Sequence, residues 1–467
     1  MKYKLISAAT LLLLLCFAFA VSSLGEELLK RSIQHEEESA VMPGVYIETE
    51  NSSLPVITTT FQSDGLMQQN SSSVNAVISV RENGEEVLCH TAQVSYRGHS
   101  SMEFDKKQYK ICFTDENGTE DKTVPFLGME KFDEWALNGS YLDRSLMRNY
   151  LCYNIAGQFI PYTPDARYCE VYLNGEYQGL YLAVETVARS SGRVDISAYK
   201  NGNNALSYIV CADWNDEGKS AVENIAKSAM IYPEQSSLYV VYPGKEKLTD
   251  TYKSAIANNI SEFEKALYSQ GFADLSNGYR KYIDVDSFVD YFILNEFFQN
   301  ADAGDYSTYF YKDAKGKLCA GPVWDFNSAL GCDVDTDLPY NSFVMTNKPY
   351  FKMLMKDSAF VEKVIARYKQ LRKTVFSEEY LLDFISDTEA FLGEAIMRNN
   401  SLWGSRMYGE EIQKEIKLIP SSRNPDNYDD AVRALCDFIK RRGEFLDEYI
   451  DTLRQYSHES AVKKYNR

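Results

Sequence analysis

The sequence predicts an α+β chain with a strand-rich lobe over residues 43–190 and a helix-rich lobe over residues 191–455. Three observations lead to this. Alternating apolar and polar runs close on Asn83-Gly84 and again on Asn174-Gly175, the dipeptide that most strongly marks a two-residue hairpin turn. From Asp284 onward most apolar residues recur at the helical period. At 467 residues, with 45% hydrophobic and 13% aromatic content, the chain can bury a large core, and no internal repeat or low-complexity tract interrupts it.

The first element is an export signal. "MKYKLISAATLLLLLCFAFA" joins two lysines, an apolar run and a small-x-small end at Ala18-Phe19-Ala20, so residues 1–20 are expected to be cleaved or to persist as a single N-terminal anchor. Residues 21–42 form a charged spacer without apolar periodicity. Strands follow in "PGVYIETE" and "LPVITTTF", then a hairpin in "SVNAVISVRENGEEVLCHTAQVSYRG". "KKQYKICF" reads as a further strand, whose alternation sends Lys106 and Lys110 to one face and Lys107 to the other. In "DRSLMRNYLCYNIAGQF" a helix is expected, with Asp143 capping its start and Leu146, Leu151, Ile155 and Phe159 sharing a face. The second hairpin is "CEVYLNGEYQGLYLAVE", and "DVDSFVDYFILNEFFQN" is a well-marked helix. A ribbon, "STYFYKD" returning as "LCAGPV", leads into "WDFNSALG"; three helical stretches and a polar tail over residues 456–467 complete the chain.

Composition narrows the chemistry. A formal net charge of −18 opposes nucleic-acid binding, where phosphates reward lysine and arginine. Four histidines leave little material for a His-rich metal site or a Ser-His-Asp triad. The eight cysteines beyond the signal are scattered without a CxxC pair, which suits isolated buried thiols, with room for one or two bridges, better than a zinc site or a dense disulfide scaffold.

The ribbon concentrates the candidate chemistry. Asp302 stands before its first strand and Asp325 after its second, and a hairpin returns its ends to one place, so the two carboxylates are expected to be neighbours. In a protein-kinase site a loop aspartate accepts the substrate hydroxyl proton, a hairpin follows, and the aspartate of Asp-Phe-Gly holds magnesium. Here Ser307 takes the place of the second metal ligand, Asn327 replaces the glycine, and Asn300-Ala301 stand where His-Arg would be. A structural ribbon with a polar strand end is the plainer alternative. Upstream, "SYRGHSSMEFDKKQYKI" reads as a loop over phosphates with cations nearby, in which Arg97 and Gly98 shape the turn; an exposed basic strand edge is the alternative. Glu185 closes the second hairpin where an adenine-binding hinge would follow in a kinase-like lobe, or is a plain strand end.

Taken in order, "YRGHSS…KKQYKI", "DRSLMRNYL", "CEVYLNGEYQGLYLAVE", "NADAGDYSTYFYKD" and "GPVWDFNSALG" resemble the CotH-type family of spore-coat protein kinases, over roughly Tyr96 to Gly331 and again in "FIKRRGEFLDEYI". That resemblance implies an atypical protein-kinase-like fold, ATP with magnesium, and phosphorylation of serine or threonine in partner proteins, which in spore-forming members are basic and serine-rich. By the same resemblance Asp302 becomes the catalytic-loop aspartate and Asp325 the metal-binding one, Lys107 or Lys110 meets phosphate, and Arg97 and Gly98 form the turn over the nucleotide. The stricter family form has a second acid where Asn327 stands and an asparagine near Ser307, so both of those metal positions are weakened here. Two functions stay open: an exported or surface-tethered kinase, and a kinase-like surface module that binds envelope proteins or glycans without catalysis. A glycosidase using Asp302 and Asp325 is a third, which the order of the surrounding motifs fits poorly.

Overall fold

The computed structural model describes residues 41–61, 67–200, 206–332, 338–408 and 423–458. The expected export signal, nearly all of the spacer and most of the polar tail lie outside these. The described residues are mixed α+β, strand-rich toward the N-terminus and helical toward the C-terminus.

Seven strands close into a barrel among the described residues: β1 (Gly44–Thr49), β4 (Val74–Glu82), β5 (Glu85–Tyr96), β6 (Tyr109–Phe113), β9 (Glu134–Asn138), β10 (Ala166–Leu173) and β11 (Glu176–Glu185). Closure falls to β1, which runs antiparallel to β4 and parallel to β10. Both expected hairpins form: β4 pairs β5, and β10 pairs β11. At their turns Asn83 and Gly84 have φ of 51° and 85°, and Asn174 and Gly175 have 51° and 81°. Two consecutive positive φ values match the right-handed twist of the flanking strands, and Asn-Gly tolerates them best. Alternation then fills the barrel with Val45, Ile78, Val94, Ile111, Trp135, Val171 and Ala183. The outward residues of β10 and β11, among them Tyr168, Leu180, Leu182 and Val184, join the larger core shared with the helices. Two short ribbons flank the barrel, β2 (Ile57–Phe61) with β3 (Met67–Ser71) and β7 (Val124–Phe126) with β8 (Met129–Phe132).

The helix-rich half also contains a four-stranded sheet, in which the expected ribbon is joined by two strands that the sequence reading did not foresee. Its order is β13 (Ser236–Tyr242), β12 (Tyr208–Trp214), β14 (Thr308–Lys312) and β15 (Leu318–Ala320). In β12, "YIVCADW" is buried from Tyr208 to Ala212, and a short continuous apolar run carries no period by which to recognise it. Sharing one core with this sheet are α1 (Arg148–Ala156), α2 (Asp250–Leu267), α3 (Val285–Phe297), α4 (Ser358–Leu371), α5 (Glu378–Leu392), α6 (Glu394–Met407) and α7 (Tyr428–Tyr449), with α6 lying against β11 of the barrel, where Trp403 donates to the Gln178 carbonyl at 2.8 Å. Asp284 caps α3 by accepting from the Ser287 amide, and Gly393, at φ 45°, divides one expected helical run into α5 and α6.

Two local expectations are corrected. The strand expected across "KKQYK" begins only at Tyr109, so Lys106 and Lys107 sit in the preceding loop and strand alternation does not govern them. Helix α1 starts at Arg148, and Leu146, with φ 66°, lies outside it although buried. Asp143 still serves the start of that helix, because its carboxylate accepts from the Arg148 amide at 2.7 Å and from the Arg148 guanidinium at 2.6 Å. Buried Cys152, Cys169 and Cys211 are free thiols. Among the described residues no helix is long and apolar enough to cross a membrane.

Candidate functional site

The ribbon β14–β15 brings its ends together as expected, with Phe310 opposite Ala320 and Lys312 opposite Leu318. One side chain links the two acidic segments. Asn300 donates from Nδ2 to the Asp325 carbonyl at 3.1 Å and accepts at Oδ1 from the Asp302 amide at 3.3 Å. A second clip holds the loop after Asp302: Lys348 Nζ donates to the Ala301 carbonyl and to Asp305, each at 2.5 Å.

Asp325 itself adopts φ 56°, a conformation that a residue other than glycine takes only when its surroundings impose it. Helix α1 supplies much of that constraint. The Tyr153 hydroxyl accepts from the Asp325 amide at 3.3 Å, and Asn149 Oδ1 accepts from the Phe326 amide at 2.7 Å. Next to Asn149, Arg148 donates to the carbonyls of Ala329 and Leu330 at 3.1 and 3.2 Å. The segment "DRSLMRNY" is thus the cradle of "WDFNSALG". Asn149, Tyr153 and Asn300 were not foreseen as site residues. The only signal for Asn149 was its place in a motif shared with the family, because amide partners across 178 positions leave no pattern in sequence.

The carboxylate of Asp325 is asymmetric. Oδ1 accepts from the Asn327 amide at 3.1 Å and from Asn327 Nδ2 at 2.6 Å, and Oδ2 takes no donor among the described residues. Burial raises the pKa of Asp325; the Asn327 donors and the Arg97 guanidinium oppose that shift, and Asp213 on β12 adds to it. Burial likewise holds the Tyr153 hydroxyl protonated, with Asp325 reinforcing the effect.

Arg97 lies with its guanidinium 5.5 Å from the Trp324 ring. Gly98 follows at φ 111°, where a Cβ would meet Ser101 Oγ at 1.7 Å. From the same loop His99 stacks on Trp214 with centroids 5.4 Å apart, and Trp214 stacks on Tyr306 at 4.0 Å, so three rings join this loop to the loop carrying Asp302. The remaining expected residues disperse. Lys107 donates to the Met102 carbonyl at 2.8 Å and so braces its own loop. Lys110 pairs with Glu134 at 3.6 Å, both partly exposed. Glu185, rather than ending a strand in solvent, is buried at the end of β11, where it accepts from the Asp165 amide at 2.9 Å with Arg193 at 4.0 Å. Ser307 has φ 49°.

A family model described as CotH kinase protein matches residues 94–446. The chain belongs to the CotH kinase family. Inner spore coat protein H of Bacillus subtilis (strain 168) is 23% identical over 363 residues, 77% of this chain and 87% of that protein. The span that matches the CotH kinase model contains Arg97, Asn149, Asp302, Asp325 and the C-terminal helix α7 as far as Leu446. The residues present fit a divalent cation held together with phosphates. Asp325 offers an oxygen without a protein donor, and magnesium characteristically takes one or two carboxylates and completes its shell with water and phosphate. No group of three or more His, Cys, Asp or Glu among the described residues could hold a metal by itself.

Proposed function

We propose that the chain is an exported CotH-type kinase with a two-lobed, protein-kinase-like fold, transferring the ATP γ-phosphoryl group to serine or threonine of partner proteins. The observation that carries this reading is the Asn300 clip, which fastens the Asp302 and Asp325 segments to one side chain while leaving Asp325 Oδ2 without a protein donor. Magnesium, when bound, would neutralise charge on the phosphates, and Asp325 with Ser307 would hold it. Asp302 would orient the acceptor hydroxyl and take its proton as the new oxygen–phosphorus bond forms and the bridge to ADP breaks. Arg97 offsets phosphate charge beside the turn at Gly98. The barrel, carrying Gly98, would form one lobe and the helical half the other.

A spore-coat or extracytoplasmic setting agrees with the name of the Bacillus relative and with the expected signal over residues 1–20. The partner would be a basic, serine-rich protein, complementary to a chain of net charge −18. A noncatalytic surface module is the second reading, favoured by Ser307 and Asn327, where the stricter family form places stronger ligands.

Thermal-shift titration of residues 21–467 separates the two. ATP is expected to stabilise the protein only with a divalent cation, and Asp325→Ala to abolish that response; no Mg-dependent stabilisation of the native chain would sink the kinase reading. With radiolabelled ATP and a basic serine-rich peptide, Asp302→Ala is expected to retain binding and lose turnover by a factor of about 10² or more.

A further inference from the structure

We infer that Asn327 is a positioning residue for Asp325 rather than a metal ligand, and that the site takes one divalent cation instead of two. This rests on the phosphotransfer reading above. The polarity of a short hydrogen-bond chain supports it. The Phe326 amide can only donate, so the Asn149 atom 2.7 Å away is its oxygen. Asn149 must then present Nδ2 to Asn327, which meets it at 2.8 Å with Oδ1. Asn327 Nδ2 is left to donate to the Asp325 carboxylate, as its 2.6 Å distance shows. Every orientation in the chain follows from one backbone N–H, independently of how amide oxygens and nitrogens are distinguished.

Turning the Asn327 oxygen toward a cation would set its Nδ2 against the Nδ2 of Asn149, donor to donor, and strip Asp325 of its shortest hydrogen bond. The side chain acts through Asp325 instead. It engages Oδ1 and leaves Oδ2 as the oxygen for a cation, in the way that hydrogen-bonded outer residues aim a ligating carboxylate. An aspartate at position 327 would carry no donor for Asp325 and would present an anionic oxygen, the requirement for a second cation.

The test is a Mn²⁺ titration of the native chain, read by electron paramagnetic resonance of free Mn²⁺ in the presence of a non-hydrolysable ATP analogue. One Mn²⁺ per chain is expected. Asn149→Ala and Asn327→Ala should each weaken Mn²⁺ binding by about tenfold, the range for residues that support a metal ligand, and the double variant should be no weaker than either alone. Asn327→Asp should raise the stoichiometry to two. Two Mn²⁺ on the native chain, or undiminished affinity in a folded Asn149→Ala, would overturn the inference and leave the kinase reading standing. Failure of the native chain to bind any Mn²⁺ with the analogue would overturn both.

Discussion

Lys106 is a lysine whose surroundings bring its titration to about pH 7. Burial is the cause, since the side chain lies inside the protein between the Leu180 carbonyl at 2.7 Å and Asn399 Oδ1 at 2.8 Å, with no carboxylate partner among the described residues. An unfolded lysine keeps its proton to about pH 10.4, so between the two values the unfolded state binds more protons and stability from this residue rises with pH. Below pH 7 both states are protonated and the cost of the buried charge is present in full. The native chain is therefore expected to gain stability relative to Lys106→Met as pH rises from 7 to 10, by on the order of a few kcal/mol, with a constant difference at lower pH. Urea midpoints across that range check it. A flat difference would mean that Lys106 titrates as an ordinary lysine.

At the scale of elements, the site depends on loops gripped by neighbours. The loop after β5 turns at Gly98, whose positive φ and close approach to Ser101 leave no place for a Cβ. Gly98→Ala is expected to cost about 1 kcal/mol or more in stability and to weaken Mg-dependent nucleotide binding, because the loop also carries Arg97 beside Asp325. Thermal midpoints with and without nucleotide would show both effects. Helix α1 has the opposite role: it is held from below by Asp143 and reaches over to five residues of the 325–330 segment. Its sequence reads as an ordinary amphipathic helix, yet Arg148 and Asn149 are buried and engaged on that segment.

Across the whole molecule, one buried pair ties α3 to α7. Arg442 donates to Glu296 at 2.5 Å and to the carbonyls of Tyr340 and Ser342 at 2.6 Å, and Glu296 accepts from the amides of Val344 and Met345. Asn300 lies three residues beyond the end of α3, so this clamp lies along the same chain that carries the acidic loop. Arg442→Ala would strand a carboxylate in the core and is expected to destabilise the fold by about 3–5 kcal/mol. Urea denaturation measures that loss. A cost below 1 kcal/mol would show that the pair is replaceable by its backbone partners alone.

The sequence by itself determined the two Asn-Gly hairpins, the helix from Val285 to Phe297, the β14–β15 ribbon and the family. Each of these is local, so spacing and turn chemistry record it within a few residues. Its resemblance to the family also pointed to Asp302 and Asp325. Only the tertiary structure decided that β1 closes a barrel through a parallel pairing with β10, and that β12 and β13 form a sheet inside the helical half. It also placed Lys106, Lys107, Lys110 and Glu185 in different surroundings. Strand pairing across more than a hundred positions and amide contacts such as Asn149 to Asn327 are made in space between residues that carry no mark of one another along the chain, so their partners exist only once the chain has folded.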